Sequence, residues 1–363
     1  MPATRDIALR DVTPGDIESW MDLVRRAVEP NPFFEPAFLL ALIRHLPDQG
    51  AALLVVEDAG AWLACLPVLR WRLGRAVPVL RTWRHDYCFL GTPLLDTANA
   101  AQAAGALLDG ARKRAPGSRV GIDLLTEDGP AAVAIHRAAR DRRFTVLRER
   151  RHERAFLARR PEDDYLAGMR SHRRRELNRL GRRLAAELDG ELSVTDRAGD
   201  EAAVDTFLEL EKSGWKGREA TAMGSEPEHE AFFRDLCRTF AGQSRLQLLA
   251  LSVEDRTVAM KCNLTAGDGA FCFKIAHDER LGNFSPGVQL ERENVKVFHD
   301  QRHEQWQDSC ADPENEMINR LWPDRRELSN TVYAPRGVQS FLMKRGLDAA
   351  QSLRDRRTSS ATS

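Results

Sequence analysis

The order of predicted secondary-structure elements repeats in the two halves of the chain, and this repeat constrains the fold more than any single motif. Each half begins with helices, continues with three strands joined by tight turns, and ends with helix, strand, helix and strand. Two of the turns are predicted at Asp58-Ala59-Gly60 and Gly267-Asp268-Gly269. The residues themselves do not repeat, so the similarity lies in element order. We therefore expect an α/β protein of two similar domains in tandem, each a mixed, mostly antiparallel sheet with helices on both faces.

The individual elements follow from apolar periodicity and from residues that start or stop helices. Helices are predicted at 14–28, 36–46, 99–115, 130–143, 163–187, 199–213, 228–241, from Pro286 onward, at 313–322 and at 336–345. Strands are predicted at 52–58, 61–73, 77–89, 119–126, 144–150, 245–253, 257–265, 270–277, 305–310 and 328–333. We expect an N-terminal domain of 1–152, a C-terminal domain of 153–348 and a polar, disordered tail of 349–363.

Length and charge limit the class of protein. The chain has 363 residues, more than a usual single domain. Lys+Arg 54 and Asp+Glu 54 cancel, so composition argues neither for nor against a polyanionic partner. No apolar run approaches the roughly 18–20 residues that span a bilayer, and the first residues have no apolar segment typical of a signal peptide. The six cysteines are scattered, so we expect reduced thiols in a cytoplasmic protein without a membrane span.

One stretch of the second half, Gly269–Arg292, has the features of an anion-binding element. Alternation of Phe271, Phe273 and Ile275 with smaller or polar residues predicts a strand. Ser285 is a good N-cap and Pro286 suits the first helical position, while a glycine at 287 lets a ligand come close. A helix start of this kind presents free N–H groups and the positive end of the helix dipole, which favour phosphate. The alternative is a capped helix without a ligand.

Several motifs carry a resemblance to known families. They are Tyr165-Leu, Ser171-His-Arg-Arg-Arg-Glu-Leu, Arg182-Arg-Leu184, Glu209-Leu-Glu-Lys-Ser-Gly-Trp215-Lys216-Gly217, Phe232-Phe-Arg234 and Phe284-Ser-Pro-Gly287, with weaker ones at Asn31-Pro-Phe-Phe34 and Tyr87-Cys-Phe-Leu-Gly-Thr-Pro93. The element order of the second half resembles the GNAT acyltransferase fold. The fusion of two such domains resembles the Fem-type transferases. The motifs themselves are similar to the CelD/BcsL-like acetyltransferases associated with cellulose and exopolysaccharide production.

The resemblance implies an acyl-CoA donor, acetyl-CoA first, and no metal. It puts the donor phosphates on the cofactor-binding residues Phe284, Ser285, Pro286, Gly287 and Val288, mainly on backbone N–H groups. The loop Asn-Phe-Ser-Pro-Gly departs from the usual Arg/Gln-x-x-Gly-x-Gly/Ala, so it offers fewer glycine amides. The N-terminal domain is expected to be degenerate and to shape the substrate site.

Acyl transfer also needs a donor to the thioester carbonyl and a route for the acceptor's proton. The carbonyl donor is expected among the backbone N–H groups near Ile275–His277. His277 and Asp308 are the predicted catalytic residues, because each ends a strand at the expected opening of the sheet. The alternatives are a surface histidine and a turn-capping aspartate.

Substrate contacts are predicted at six positions. Lys261 and Asn263 share one face of their strand, opposite Val258, Met260, Cys262 and Leu264, and Lys274 lies on the neighbouring strand. A row of this kind lines a groove or a wet sheet edge. Trp215 and Lys216 follow the family pattern, either as a substrate path or as packing residues. Arg174 belongs to an arginine-rich helix at 170–183, for which a solvated face, a phosphate clamp and a nucleic-acid contact all remain open.

We therefore expect an acyltransferase that moves an acyl group from acyl-CoA to an amine or hydroxyl of a sugar, nucleotide-sugar or polysaccharide-related acceptor. No cysteine or serine has an evident base partner, so direct attack is expected. One alternative is Fem-type aminoacyl transfer from charged tRNA. The other is a degenerate GNAT-fold scaffold in polysaccharide synthesis. His299 and His303 have metal-ligand spacing, but the sequence offers no third ligand, so a solvated helix face is expected.

Overall fold

Helices and strands alternate along the chain in the computed structural model, which describes residues 2–73, 77–114, 119–161, 171–214 and 222–337. The chain divides into two compact units. Unit 1 comprises Met1–Pro36, Asp48–Glu153 and Glu327–Ser363, and unit 2 comprises Ala37–Pro47 and Arg154–Arg326. The predictions for Trp215, Lys216, most of the last helix and the polar tail lie outside the described residues.

Nine helices and thirteen strands are numbered in chain order within the described ranges. The helices are α1 (Pro14–Arg26), α2 (Pro36–His45), α3 (Ala100–Arg114), α4 (Pro130–Asp141), α5 (Ser171–Glu187), α6 (Glu201–Ser213), α7 (Pro227–Gly242), α8 (Pro286–Gln301) and α9 (Glu316–Leu321). The strands are β1 (Ala3–Ala8), β2 (Ala52–Asp58), β3 (Ala61–Leu73), β4 (Val77–Thr82), β5 (Leu94–Leu95), β6 (Arg119–Thr126), β7 (Phe144–Ala158), β8 (Leu192–Asp196), β9 (Leu246–Val253), β10 (Arg256–Ala266), β11 (Gly269–His277), β12 (Trp306–Asp308) and β13 (Asp324–Pro335).

The sheet of unit 1 has the strand order β1-β2-β3-β4-β6-β13, followed by the first part of β7. The first three pairs are antiparallel, β4 and β6 are parallel, and β6 and β13 are antiparallel. A two-residue strand, β5, pairs with β3 off this path. No helix follows β4 directly, because residues 83–93 form loop before β5 and α3. Unit 1 therefore has no strand–turn–helix element after its meander.

The sheet of unit 2 has the order β8-β9-β10-β11-β12 and then the end of β7. Its pairs run antiparallel three times, then parallel, then antiparallel, which is the same pattern as in unit 1. Helices cover both faces, because Lys261 of β10 contacts α8 while its neighbour Cys262 contacts Cys237 of α7. The expected fold class, an α/β architecture of two similar halves with mixed sheets, is confirmed.

Each unit takes one strand of its sheet from the other half of the sequence. In unit 2, β12 pairs with residues 156–158 of β7, at the end of the first half. In unit 1, β6 pairs with residues 328–333 of β13, near the end of the described chain. Residues 37–47, which include most of α2, also belong to unit 2. There Phe38 packs edge-on against Phe232 and Phe273. The units are thus discontinuous, whereas the predicted domains 1–152 and 153–348 are continuous.

Most predicted helices and strands are present in the structure with the predicted type. For β2, β3 and β6 the observed bounds equal the predicted ones. Three strands were not predicted. One is the two-residue β5. The others are β1 and β8, which form the outer edges of the two sheets and have few fully buried residues. β4 ends at Thr82, seven residues before the predicted strand end. β7 runs on to Ala158, eight residues beyond its predicted end. None of the helices in the described ranges is long and apolar enough to cross a membrane.

Candidate functional site

The predicted strand, turn and helix of residues 269–301 are present in unit 2. β11 ends at His277, a 3-10 helix spans Glu279–Phe284, and α8 starts at Pro286. Asp278 caps the 3-10 helix, since its carboxylate accepts the Arg280 N–H at 3.0 Å, and it also accepts from the guanidinium groups of Arg280 and Arg256. The hydrogen bond from the Arg280 side chain, helped by Arg256, lowers the pKa of Asp278 to about 2. The carboxylate therefore fixes the turn between β11 and α8.

The start of α8 differs from the predicted cap. Ser285 has a φ of 53°, in the left-handed region, and its side chain makes no capping hydrogen bond. Its own N–H donates to the Gly282 carbonyl at 2.9 Å, and the Val288 N–H donates to the Ser285 carbonyl at 3.0 Å. Pro286 has no N–H. Within residues 285–288, only the Gly287 N–H therefore donates to no backbone carbonyl of the described chain.

His277 lies against this helix start. A Cβ atom built on Gly287 would lie 3.4 Å from Nδ1 of the His277 ring. The side chain of His277 is half-buried at the end of β11. The structure thus brings together the predicted catalytic histidine and the predicted cofactor-binding glycine, which are ten positions apart in sequence.

The two central parallel strands of unit 2 separate next to this point. β12 pairs only with Gly269–Phe271 of β11, while β10 stays paired with β11 as far as His277. After Asp308 the chain stays bonded to β7, because the Ser309 N–H donates to the Ala155 carbonyl at 3.2 Å. The pairing of β12 with β11 therefore stops at Phe271, well before β10 and β11 separate at His277. An extended ligand can add to a strand where its ladder opens in this way.

A β-bulge at Phe273 changes the predicted alternation of β11. Cys262 of β10 pairs with Lys274 and Asn263 pairs with Cys272, so Phe273 is an extra residue in β11. As a result, Lys274 turns toward α6, where its Nζ lies 3.6 Å from Oε1 of Glu211. Lys274 therefore does not share the environment of Lys261, although both lie on neighbouring strands.

Lys261 and Asn263 do share one face, as expected, but that face is enclosed by α8. Lys261 is 2% exposed and forms an ion pair with Glu291, and its Nζ lies 5.4 Å from the ring centroid of Trp322. Asn263 is fully buried and donates to Asn294 at 3.0 Å. Burial opposes the charge of Lys261, but Cys272 and Glu291 outweigh it and raise the pKa of the amine. Both side chains are buried and have partners within the fold, and their contact with an acceptor stays a prediction.

Asp308 has a different environment from the one predicted. Its carboxylate is fully buried and accepts from Arg154 at 2.6 Å, from Arg326 at 2.7 Å and from the Cys310 N–H at 2.9 Å. Burial alone would raise the pKa of Asp308, but the two guanidinium groups lower it. A carboxylate with this set of donors is a structural acceptor and has no oxygen free to take a substrate proton.

Two further predicted regions flank the turn. Gly214, the last described residue before Trp215, lies next to the turn, because a Cβ built on it would be 2.8 Å from Oε1 of Glu279. On α5, the predicted contact Arg174 is exposed. At the other end of that helix, the Arg183 guanidinium lies over the Phe284 ring, with its carbon 5.6 Å from the ring centroid. Sequence reasoning did not identify this pair.

Sequence reasoning also missed three residues that contact the lysines of β10 and β11: the acids Glu211 and Glu291 and the aromatic Trp322. Glu291 follows Gly287 by one helical turn, so its position on the inner face of α8 was readable from the sequence. Its pairing with Lys261 was not, because that pairing depends on strand order. His299 is buried in α8, whereas His303 lies beyond the helix end at Gln301. Among the described residues, no group of three or more His, Cys, Asp or Glu side chains is arranged to hold a metal ion.

Comparisons with known proteins agree with this geometry. Residues 171–314 match the family described as an acetyltransferase (GNAT) domain. That segment contains the open edge of β11 and the start of α8, and it identifies the enzyme class as a GNAT-type acyltransferase. A GNAT domain implies an acyl-CoA donor and a small acceptor. No curated protein sequence matches the chain.

Solved structures share the fold at low sequence identity. FemX is 11% identical with a TM-score of 0.57, covering 91% of this chain and 96% of its own. The C-terminal domain of a putative lysylphosphatidylglycerol synthetase from Agrobacterium fabrum is 13% identical with a TM-score of 0.54, covering 92% and 95%. L-PGS from Bacillus licheniformis is 12% identical with a TM-score of 0.53, covering 93% and 97%. At these identities the likeness concerns the fold alone.

Proposed function

We propose that the chain transfers an acyl group from acyl-CoA to an amine or hydroxyl, which attacks the thioester directly. Acetyl is the first candidate for this group. The observation that carries the proposal is the open edge of β11 leading to the start of α8. An extended thioester arm can add along that edge, since β12 pairs with β11 only as far as Phe271. The edge ends at His277 and Gly287, where the phosphate end of the donor would lie.

The carbonyl of the thioester becomes an oxyanion during attack and needs a hydrogen-bond donor. A backbone N–H on the open edge of β11 supplies one without any side chain. Because β10 holds the other edge of the same residues, that N–H is fixed before the donor binds. A preformed donor lowers the barrier more than one that must reorganise.

His277 lies at the end of the open edge, against Gly287, beside the proposed phosphate end of the donor. The pantetheine arm keeps the thioester away from that end, so we propose that His277 contacts the donor phosphates. The attacking group then loses its proton to water as the CoA thiolate leaves. Asp278, next to His277 in sequence, is held by Arg256 and Arg280 and serves the turn. His277→Gln is expected to weaken donor binding and to change transfer little at saturating donor.

Lys274 is proposed as a contact of the acceptor. It follows the bulge in β11, and its Nζ lies 3.6 Å from Oε1 of Glu211, so that a cation and an anion lie together beside the open edge. The Lys274 ammonium can donate to sugar hydroxyls and to phosphate oxygens, and the Glu211 carboxylate can accept from sugar hydroxyls. The acceptor class we propose is a sugar, nucleotide-sugar or polysaccharide precursor. Support for this class comes from the CelD/BcsL-like motifs, of which Phe284-Ser-Pro-Gly287 and Phe232-Phe-Arg234 lie in the described part of unit 2.

Calorimetric titration with acetyl-CoA tests the proposal. We expect saturable binding to the native chain and none to Gly287→Trp, because a side chain there meets the His277 ring and covers the helix start. Gly15→Trp is the matched control. Gly15 also follows a proline at the start of a helix, α1, and has nothing within 4 Å of a built Cβ. Absence of binding at millimolar acetyl-CoA, or equal binding by Gly287→Trp, contradicts the proposal.

A second candidate function is aminoacyl transfer from a charged tRNA. The observation in its favour is the row of exposed arginines on α5. Binding to tRNA would weaken steeply with added salt, because each neutralised phosphate releases counterions. Tight, salt-sensitive binding of tRNA together with no binding of acetyl-CoA would favour this candidate. Loss of both would favour a scaffold that has kept the fold without the reaction.

A further inference from the structure

The donor site proposed above lacks the backbone groups that usually hold a diphosphate at a helix start. The N–H groups of Ser285, Val288 and Gln289 all donate to carbonyls of the same turn, at 2.9 to 3.0 Å. Pro286 contributes none. One amide, that of Gly287, cannot balance two or three phosphate charges. Side chains must therefore supply the missing positive charge, if the donor carries phosphates at this point.

The C-terminal half of α5 presents such a side chain, Arg183, beside the same loop. Arg182 and Arg183 are both exposed, and in the described part of the chain neither forms an ion pair with an acid. The neighbouring Arg179, by contrast, is held by Glu176 through two hydrogen bonds. The Arg183 guanidinium lies over the ring of Phe284, the residue just before the start of α8. Stacking on the ring leaves the N–H groups at its rim free to donate.

Packing fixes this helix relative to α8. Leu177 and Leu184 are buried, and Leu184 belongs to the apolar cluster that contains Leu290 of α8. The Gln289 side chain donates to the Leu177 carbonyl at 2.8 Å. The two helices are close at Gly181, where a Cβ would lie in van der Waals contact with Oε1 of Gln289, at 3.4 Å. The guanidinium of Arg183 is therefore carried on a rigid element and not on a loop.

We propose that Arg183, assisted by Arg182, binds the phosphates of the acyl carrier in place of the missing loop amides. This inference rests on the proposed acyl-CoA function. An arginine fork donates two parallel hydrogen bonds to a phosphate, and charge-assisted bonds of this kind are the strong ones. The site thus recognises a phosphate-bearing nucleotide end by side chains from α5, with Gly287 contributing a single amide.

The experiment is calorimetric titration of the full-length chain with CoA, dephospho-CoA and pantetheine. For Arg183→Gln we expect CoA affinity to fall about tenfold or more, as for loss of a charged hydrogen-bond partner. Affinity for pantetheine, which has no phosphate, is expected to stay unchanged. Dephospho-CoA identifies the phosphate involved: if its affinity also falls in the variant, Arg183 holds the diphosphate, and if not, the 3′-phosphate.

Two control variants keep the interpretation clear. Arg238→Gln removes an exposed arginine of α7, 69% accessible, and is expected to leave CoA affinity unchanged. Arg183→Lys keeps the charge without the fork and is expected to be intermediate. The thermal midpoint of each variant checks that the fold is intact.

Distinct results overturn the inference and the function. Unchanged CoA affinity in Arg183→Gln, or equal losses for CoA and pantetheine, overturns the role of Arg183 and leaves the donor proposal standing. No CoA binding by the native chain overturns the donor proposal and this inference with it. A loss of tRNA binding in Arg183→Gln, with CoA affinity intact, assigns the arginines to nucleic acid and also overturns the inference.

Discussion

At the scale of single residues, the contacts divide the predicted polar positions into two groups. His277 and Gly287 lie together at the proposed site. Lys261, Asn263 and Asp308 are instead buried in polar networks of the fold. The sequence showed which strand face Lys261 occupies, because alternation determines it. It could not show whether that face is open, because the covering helix is defined by long-range packing.

The buried pair Lys261–Glu291 gives a stability prediction. Glu291→Gln leaves the enclosed amine without its charge partner, and we expect a loss of about 3–5 kcal/mol in the free energy of unfolding. Glu316→Gln, in an exposed pair with Arg320, should cost about 0–1 kcal/mol. Urea unfolding of both variants measures the difference. Similar effects of the two substitutions would show that the Lys261–Glu291 pair is not enclosed.

Asp278 gives a pH prediction. Its pKa in the fold, about 2, lies below the ordinary value of 3.8, so ionised Asp278 contributes stability above that ordinary value, and the contribution disappears as the pH falls toward 2. Asp278→Asn should therefore be less stable than the native chain at pH 7, by on the order of 2 kcal/mol. The gap should close between about pH 4 and pH 2. Chemical unfolding of both proteins at several pH values measures the gap. A gap that does not change with pH would contradict this account.

At the scale of elements, the strand, turn and helix of residues 269–301 were predictable, and their junctions were not. Pro286 and the alternating aromatics predicted where α8 and β11 lie. The bulge at Phe273 was hidden, because Cys272 and Lys274 on either side of it still fit an alternating pattern. The left-handed Ser285 was hidden as well, since serine before a helix ordinarily means an extended N-cap.

The cap of α8 separates the predicted geometry from the observed one. If Ser285 capped the helix by its hydroxyl, Ser285→Ala would cost about 1 kcal/mol. Because no such bond exists, we expect a change within about 0.5 kcal/mol. Asn315→Ala is the control in the same unit, since the Asn315 side chain does cap α9, accepting from the Ile318 N–H at 3.2 Å. Amide hydrogen exchange in the first turns of α8 and α9 measures the effects of the two substitutions on their helices. Faster exchange in α8 of Ser285→Ala would refute the observed cap geometry.

At the scale of the whole molecule, element order predicted two like units and the structure has them. The sequence could not show which sheet β7 and β13 join, because order along the chain does not say which strands pair. β6 needs Leu328–Tyr333, and β12 needs Phe156–Ala158, each from the other half of the sequence. The predicted domain boundary near residue 152 therefore falls within β7, a strand that both units use.

This arrangement predicts the behaviour of fragments. A fragment of residues 1–152 has no partner for one edge of β6, and exposed strand edges promote aggregation. We expect neither this fragment nor residues 153–348 to be soluble and cooperatively folded when produced alone. Size-exclusion chromatography and thermal unfolding of each fragment measure this. A monomeric fragment with a sharp transition would contradict the strand assignment.

In the proposed complex, an acyl-CoA donor lies along the open edge of β11 and ends at the start of α8. Amide hydrogen exchange followed by mass spectrometry, with and without saturating acetyl-CoA, tests it at the level of peptides. We expect slower exchange in peptides covering Cys272–His277 and Ser285–Val288. We expect no change at β4 of unit 1, which no helix follows directly. Saturable binding that leaves residues 272–288 unprotected would contradict the account.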